Sequence, residues 1–360
     1  MKKILILTVS FGEGHNAAAR GVRDGLARVA PDANVEVHDL FAETYGVVNE
    51  LIRKAYLTLI NRWPRSWGTV YRWLDRKTTT DRDLGRFFFP VRNRLAHVLA
   101  RFRPDVVVSV FPPYPYLLNQ ILGADRWCKS VVVITDSITV NAIWYRCEAD
   151  YFLVPNQQSA VVVQNGGIAP ELIKTFGFPV SPKFADLPQD RQPPSENNRR
   201  ILYVINSGTQ KATEIVDKLL KLDIDLTVTV GRDENLRHAI GAAAADRKID
   251  IVGWTDQLPR MLSESHILIG KAGGAMVQET IAAGCPMIIN HVVSGQEEGN
   301  ARLIVETDSG IIAMSPDEVI AQVQRTFADD AKQWREWATN ISKLSRPRAS
   351  LDIAEFLMSN

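Results

Sequence analysis

The segment HILIGKAGGAMVQET, residues 266–280, passes from a mostly apolar run into a glycine pair and then into a helical pattern. An apolar run of this kind, at 266–270, is typical of a strand buried on both faces of a parallel sheet. Gly273 and Gly274 allow backbone N–H groups to approach an anion closely, and a helix that begins there adds about half a positive charge. The segment therefore predicts a strand, a tight turn and a helix, where a diphosphate can bind without a metal.

On both sides of this segment, short β-branched runs alternate with helical patterns. We predict strands at 3–10, 35–40, 106–110, 131–135, 151–154, 200–206, 226–231, 249–252, 266–270 and 286–289. Such alternation is typical of a parallel sheet with helices on both faces. We predict an α/β protein with two doubly wound, Rossmann-like domains whose carboxyl-edge loops face an interdomain cleft.

The length of 360 residues suits two domains of ordinary size. We predict a first domain at 1–178 with an insertion at 45–103, and a second domain at 200–330. Between them, 179–199 contains five prolines and a polar cluster, which indicates a linker. Helices at 331–360 complete the chain, and we expect one of them to pack back on the first domain.

The composition excludes several classes of protein. A net charge of +1, from 42 basic and 41 acidic residues, gives no overall field for nucleic acid. Cys128, Cys147 and Cys285 are far apart and lack metal-ligand or redox spacing, which predicts reduced thiols in a cytosolic protein. The apolar start is too short for a signal peptide, and no uncharged apolar stretch of ~18 residues predicts a membrane span.

One basic and aromatic segment interrupts the pattern. Residues 53–94 contain eleven Lys or Arg and only three acidic residues. Aromatic rings at headgroup depth and cations near lipid phosphates suit the surface of an anionic bilayer. The residues predicted to contact it are Trp63, Trp67, Trp73, Arg62, Arg65 and Arg72. The alternative is a helical insertion with aromatics in its core and solvated arginines; single-stranded nucleic acid is a weaker alternative.

Several polar residues follow glycine turns where ligands bind in such folds. Glu279 lies in the helix after the glycine pair, where a carboxylate can accept ribose hydroxyls, or it is simply solvated. Gln296, Glu297 and Asn300 follow a second glycine turn and suit sugar hydroxyls, although polar residues there are often helix caps.

The first strand is followed by Gly12-Glu13-Gly14-His15 at the start of a helix. A histidine with a pKa near neutrality can remove a proton from a hydroxyl, although a lone His at a helix start is more often a cap. Asp136 ends a predicted buried strand, so its carboxylate faces the same edge, either as a functional group or as a helix cap.

These segments resemble the processive diacylglycerol glucosyltransferases and monogalactosyldiacylglycerol synthases, which are GT-B glycosyltransferases. The lipid II-forming N-acetylglucosaminyl transferase is a more distant relative. The donor motif is matched at 271–274, Glu279, 294–297 and Asn300, with Ala272 and Ser294 replacing two family prolines. The turn at 8–18 is similar to the family's aromatic-Gly-X-Gly-His turn, and the segments at 135–136, 144, 149–154 and 177–180 follow the family's order.

The resemblance implies roles for individual residues. His15 would be the general base, and Asp136 would orient it or hold an acceptor hydroxyl. Gly12, Gly14 and Trp144 would line the acceptor side of the cleft. The UDP-sugar would contact Ser207 at the phosphates and Trp254 and Thr255 at uracil, together with Gly273, Gly274, Glu279, Gln296, Glu297 and Asn300.

The implied activity is an inverting transfer of a hexose from UDP-glucose or UDP-galactose to diacylglycerol. The enzyme would lie on the inner face of the cell membrane as a peripheral cytoplasmic protein, which favours the membrane interpretation of the basic segment. Two Asp-X-Asp motifs, at 81–83 and 223–225, follow no predicted strand, so we expect no metal. We also expect no cofactor and no nucleic-acid partner. The alternatives are a UDP-N-acetylglucosamine transferase with a polyprenyl-linked acceptor, a UDP-N-acetylglucosamine epimerase and a catalytically silent UDP-sugar sensor.

Overall fold

A computed structural model describes residues 1–10, 13–46, 88–123, 126–188, 190–205, 209–244, 247–293 and 297–360. Its backbone contacts divide the chain into two compact units. Unit 1 consists of Met1–Pro182, Val293–Gly299 and Arg348–Asn360, and unit 2 of Lys183–Val292 and Asn300–Pro347.

Each unit contains one parallel sheet, with six strands among the described residues. The strands of unit 1 are β1 (Lys3–Leu7), β2 (Asn34–His38), β3 (Val106–Ser109), β4 (Lys129–Val133), β5 (Tyr151–Val154) and β6 (Ile173–Thr175), in the order β2-β1-β3-β4-β5-β6. The strands of unit 2 are β7 (Arg200–Val204), β8 (Asp225–Gly231), β9 (Asp250–Gly253), β10 (Ile267–Lys271), β11 (Met287–His291) and β12 (Gly310–Ile312), in the order β12-β11-β10-β7-β8-β9. These two parallel sheets, flanked by helices, confirm the predicted α/β class.

The helices follow the strands along the chain. They are α1 (Glu13–Val29), α2 (Leu40–Tyr45), α3 (Phe89–Phe102), α4 (Pro113–Leu122), α5 (Gln157–Asn165), α6 (Thr209–Leu219), α7 (Glu234–Ala244), α8 (Leu258–Glu264), α9 (Gly274–Ala282), α10 (Glu298–Glu306), α11 (Pro316–Leu344) and α12 (Ala349–Ser359). Non-helical residues at 328–331 interrupt α11. In the described part of the chain, no helix is both long and apolar enough to cross a membrane.

Helix α1 illustrates how the sequence shapes unit 1. Ala18, Val22 and Leu26 recur at four-residue intervals and are buried, so they form one face that packs against the sheet. On another side, α1 approaches α12 so closely that a Cβ at Gly25 would lie 2.3 Å from the carbonyl oxygen of Ser350. Glycine at this position therefore permits the contact between the two helices.

The C-terminal helices divide between the two units. Trp334 and Trp337 lie in the second part of α11 and are buried in the core of unit 2. The indole of Trp334 also donates to the carbonyl of His266 at 2.8 Å. Helix α12, which follows α11, belongs to unit 1. In the proline-rich stretch at 179–199, the boundary between the units falls after Pro182.

Candidate active site

The turn that leads to His15 is fixed by polar side chains from separate elements of unit 1. The hydroxyl of Thr8 donates to Asn16 Oδ1 at 3.1 Å, and Asn16 Nδ2 donates to Ser10 Oγ at 3.2 Å. The backbone N–H of Ser10 in turn donates to Asp39 Oδ2 at 2.8 Å. These bonds connect the end of β1, the first turn of α1 and the residue that follows β2. They place His15 at the carboxyl edge of the sheet.

The imidazole of His15 is partly buried among aromatic rings. The ring of Phe111 lies 5.3 Å away in an edge-to-face arrangement, and that of Trp144 lies 6.0 Å away. Burial lowers the pKa of His15 to about 4, although the carbonyl of Val110 acts in the opposite direction. The imidazole is therefore neutral at pH 7, which is the state that can accept a proton.

Asp136 lies three residues beyond the end of β4 and is held by Trp144. The indole Nε1 of Trp144 donates to Asp136 Oδ2 at 2.8 Å. Burial raises the pKa of Asp136 to about 6, while the hydrogen bonds from Trp144 and from the backbone of Asn141 lower it. Trp144 itself is only 2% exposed. The structure therefore corrects the expectation that Trp144 lines an acceptor surface, because this ring packs behind Asp136 and His15.

The loop after Asp136 has an unusual backbone conformation. Ile138 has a φ of 56°, in the left-handed region that β-branched residues rarely adopt. Its N–H donates to the hydroxyl of Ser159 at 3.2 Å, and Thr139 N–H donates to the carbonyl of Ser137 at 2.6 Å. Strained backbone of this kind persists where surrounding bonds fix it, and it concentrates at functional sites.

The polar side chain described in contact with His15 is Thr135, which is not among the predicted site residues. Thr135 Oγ1 lies 3.3 Å from His15 Nδ1. Among the described contacts of Asp136, the side-chain partner is Trp144. His15, Asp136 and Trp144 thus lie in one cluster, in which Thr135 rather than Asp136 is the described side-chain partner of the imidazole. The sequence signal for Thr135 was its position next to Asp136, in the segment at 135–136 that resembles the family.

In unit 2, the glycine pair forms the turn between β10 and α9. Gly273 is the N-cap of α9 in extended conformation, and no side chain caps the helix. The first intrahelical bond runs from the N–H of Val277 to the carbonyl of Gly273, at 2.9 Å. The N–H groups of the first turn therefore present the positive end of the helix dipole, as an anion requires. Glu279, partly buried, lies in the second turn of the same helix.

Two further contacts anchor this turn. The N–H of Ala272 donates to the carbonyl of His291 at 3.0 Å, and Asn300 Nδ2 donates to the carbonyl of Ala272 at 3.2 Å. Asn300 is buried, so its described contact is structural. Glu297 is also buried and groups with unit 1, where its carboxylate accepts the N–H of Val293 at 2.9 Å.

The loop after β9 carries Trp254 and Thr255. Trp254 is 68% exposed, and the guanidinium of Arg232 lies 5.6 Å from the centre of its ring. The hydroxyl of Thr255 accepts the N–H of Gln257 at 3.0 Å. Near the ends of β7 and β8 lies a cavity of about 650 Å³, lined by Ile205 and residues 230–236. An exposed indole supported by a cation offers a flat surface to an aromatic ring.

Several predicted site residues lie outside the described residues. They are Gly12, Ser207, Gln296, Trp63, Trp67, Trp73, Arg62, Arg65 and Arg72. Gly14 is described, and a Cβ built on it would meet no atom within 4 Å. It therefore borders open space at the start of α1.

Two family models match the chain in succession. Residues 15–180 match monogalactosyldiacylglycerol (MGDG) synthase, and residues 201–349 match the glycosyltransferase family 28 C-terminal domain. A relative from Oryza sativa subsp. indica, probable monogalactosyldiacylglycerol synthase 2, chloroplastic, is 25% identical over 377 residues. That alignment covers 98% of this chain and 80% of the relative.

Solved structures with the same fold include MurG of Acinetobacter baumannii, with a TM-score of 0.65 and 15% identity over all of both chains. The UDP-GlcNAc 2-epimerase from Neisseria meningitidis bound to UDP-GlcNAc has a TM-score of 0.63 and 13% identity, also over all of both chains. At these identities the structures show the fold alone. The two sheets and the two family matches define a GT-B glycosyltransferase. More narrowly, the chain is similar over nearly its whole length to plant monogalactosyldiacylglycerol synthases, and its residues 15–180 match the model of that family.

Proposed function

We propose that this glycosyltransferase moves a hexose from UDP-glucose or UDP-galactose to the free hydroxyl of diacylglycerol. The observation that carries the proposal is the order of the two family matches. The MGDG synthase match contains His15 and Asp136, and the glycosyltransferase match contains Gly273, Gly274 and Glu279. The names of the plant relatives support a diacylglycerol acceptor.

The proposed reaction is a single displacement with inversion at the anomeric carbon. His15 accepts the proton of the diacylglycerol hydroxyl as its oxygen bonds to the anomeric carbon. The bond between that carbon and the diphosphate oxygen breaks, and UDP leaves with the electron pair. The first turn of α9 stabilises the charge that develops on the diphosphate. Asp136 holds the acceptor hydroxyl, and Glu279 accepts hydrogen bonds from the ribose.

The deciding experiment supplies the purified full chain with liposomes containing diacylglycerol and a panel of UDP-sugars. We expect mass spectrometry to detect a hexosyl-diacylglycerol, and NMR of the product to show the β-anomer from the α-linked donor. Product from UDP-N-acetylglucosamine alone, or its conversion to an epimer without lipid product, would contradict the proposal. Binding of UDP-sugars with no product at all would favour a sensor.

Metal independence is part of the same proposal, because backbone N–H groups at α9 can meet the diphosphate directly. We expect the rate of transfer to be unchanged after dialysis against EDTA. A rate that falls with EDTA and returns with Mg²⁺ or Mn²⁺ would show that a metal takes part.

Membrane docking by the basic aromatic segment at 53–94 is also proposed, since diacylglycerol remains in the bilayer. This places the enzyme on the inner face of the cell membrane as a peripheral protein. The chain should bind anionic vesicles and dissociate at high salt, because screening weakens the contacts between cations and phosphates. Equal binding to neutral and anionic vesicles would be evidence against it.

A further inference from the structure

Thr135 sits where it can determine the state of the proposed base. It follows β4, whose neighbours in the sheet are β3 and β5, and its side chain is only 7% exposed. Its hydroxyl lies 3.3 Å from Nδ1 of His15. The nitrogen that faces Thr135 is therefore Nδ1, and in the proposed reaction Nε2 is the nitrogen that meets the substrate hydroxyl.

The other described side chains around the imidazole cannot take over this role, and the carbonyl of Val110 is a backbone acceptor that acts on the same ring. Phe111 and Trp144 meet it with their ring systems, at 5.3 and 6.0 Å between ring centres. The indole N–H of Trp144 already donates to Asp136. A neutral imidazole has one N–H and one lone pair, so the partner of Nδ1 decides which nitrogen keeps the lone pair.

We propose that Thr135 Oγ1 accepts a hydrogen bond from Nδ1–H of His15 and thereby holds the tautomer whose lone pair is on Nε2. Thr135 is then a positioning residue, which acts on the reaction through His15. This inference rests on the proposed function, in which His15 takes the proton of the acceptor hydroxyl. In that step the proton moves from the hydroxyl to Nε2, while Nδ1–H remains bonded to Thr135.

The test compares Thr135→Val, which keeps the shape and removes the hydroxyl, with Thr135→Ser, which keeps the hydroxyl. We expect Thr135→Val to lower kcat for hexosyl-diacylglycerol formation about tenfold to hundredfold, the effect of one lost buried hydrogen bond. KM for the UDP-sugar should change little, because the proposed donor contacts at Gly273, Gly274 and Glu279 lie in unit 2. Thr135→Ser should recover most of the lost kcat.

A matched control is Thr326→Val in unit 2. Thr326 is also fully buried, and its hydroxyl donates to the carbonyl of Gln322 at 2.7 Å within α11. The substitution removes the same group from a hydrogen bond within a helix of the other unit. We expect Thr326→Val to keep the kcat of the unmodified chain. A loss of kcat as large as that of Thr135→Val would overturn the proposal, because it would reflect general destabilisation.

The tautomer is read directly by NMR of the full chain with ¹⁵N-labelled histidine. The signals of His15 are identified by their loss in His15→Gln. We expect a pyrrole-type Nδ1 and a pyridine-type Nε2 in the unmodified chain and in Thr135→Ser, and a mixture of tautomers in Thr135→Val. A pyrrole-type Nε2 in the unmodified chain overturns the proposal, as does equal impairment of the Ser and Val variants.

The NMR experiment separates failure of this inference from failure of the proposed function. If no UDP-sugar yields a glycolipid, the proposed function fails while the tautomer still tests the bond to Thr135. If transfer proceeds and Thr135→Val has the kcat of the unmodified chain, the transferase assignment stands and the role of Thr135 is wrong.

Discussion

The two sheets have the same parallel construction, but different groups lie at their carboxyl edges. At the edge of unit 1, the groups are partly buried side chains that titrate, His15 and Asp136, with pKa values of about 4 and about 6. At the edge of unit 2, the groups are backbone N–H donors at the start of α9 and an exposed indole, Trp254. The edge of unit 1 therefore suits the proposed proton transfer, and the edge of unit 2 suits the proposed binding of an anion.

This difference shows that two sheets of the same construction can carry different groups, one suited to proton transfer and the other to anion binding. Proton transfer requires a side chain whose pKa is set by burial, so the first unit surrounds His15 with aromatic rings. Anion binding requires N–H groups free of side-chain caps, which the glycine pair provides. The comparison predicts that substitutions in unit 1 change kcat and that substitutions in unit 2 change KM for the donor.

The largest effect is expected for His15→Gln. Loss of a general base lowers rates by about 10²- to 10⁴-fold, so kcat should fall by this factor. The affinity for UDP, measured by calorimetry, should stay unchanged because the proposed contacts of the diphosphate and the ribose, at 273–279, are in unit 2.

The control for this variant is His238→Gln, which replaces an exposed histidine of α7. It should behave as the unmodified chain. If UDP release in the presence of diacylglycerol is as fast in His15→Gln as in the control, His15 is not the base. The conclusion that the edge of unit 1 carries the proton acceptor would then be wrong.

A smaller effect, now on binding, is expected for Glu279→Gln. Hydrogen bonds to a charged group contribute about 1.5–3 kcal/mol, so KM for the UDP-sugar should rise roughly tenfold to hundredfold. The kcat should change little, since Glu279 lies in the second turn of α9, away from the anomeric carbon in the proposed reaction.

Glu306→Gln is the matched substitution for Glu279→Gln, because Glu306 is an exposed glutamate at the end of α10, paired with Arg302. Its KM should equal that of the unmodified chain. A fall in kcat without a rise in KM for Glu279→Gln would mean that unit 2 takes part in the chemistry as well as in binding.

The strands that form these edges were largely predictable, because short apolar runs of β-branched and aromatic residues signal buried parallel strands. The runs at 106–110 and 151–154 correspond to β3 and β5, with ends that differ by at most one residue. Two strands were missed, β6 and β12, which have three residues each and lie at the sheet edges. Such short segments carry too few residues for a periodic pattern.

The details of the site were less predictable than its location. His15 and Asp136 follow predicted strands, and parallel strands bring their carboxyl ends to one edge. The bond between Thr135 and His15, and the contacts of Ser10 with Asp39 and Asn16, join residues from separate parts of the chain. Their partners depend on side-chain directions in three dimensions, which no spacing along the sequence determines.

A still smaller effect is expected for Asn300→Ala. The substitution removes the hydrogen bond to the carbonyl of Ala272, which anchors the glycine turn. A typical hydrogen bond contributes about 1 kcal/mol net, so KM for the UDP-sugar should rise about fivefold. A rise as large as that of Glu279→Gln would show that Asn300 contacts the donor itself.

Asn340→Ala provides the control in the same unit. Asn340 makes a similar bond, from its amide to the carbonyl of Asp308 at 3.1 Å, but it lies in α11. Its KM for the UDP-sugar should match that of the unmodified chain. If KM for the UDP-sugar rises equally in Asn300→Ala and Asn340→Ala, loss of the anchor of the glycine turn is not the cause of the rise.

The smallest net effect on the unmodified chain is a pair of opposite, largely cancelling slopes in the pH dependence of its stability. Folding lowers the pKa of His15 from 6.5 to about 4, so its contribution to stability is present above pH 6.5 and is lost as the pH falls toward 4. Folding raises the pKa of Asp136 from 3.8 to about 6, so its contribution is present below pH 3.8 and is lost as the pH rises through 6. Between pH 4 and 6 the two contributions therefore oppose each other.

Thermal unfolding of the unmodified chain, His15→Gln and Asp136→Asn across this range isolates each contribution. The stability lost in His15→Gln should grow as the pH rises, and the stability lost in Asp136→Asn should shrink. His266 of unit 2, whose pKa burial also lowers to about 4, is present in all three chains, so its effect cancels in these differences. Differences that do not vary with pH would mean that the edge of unit 1 does not bury its titratable groups, and the contrast between the two edges would disappear.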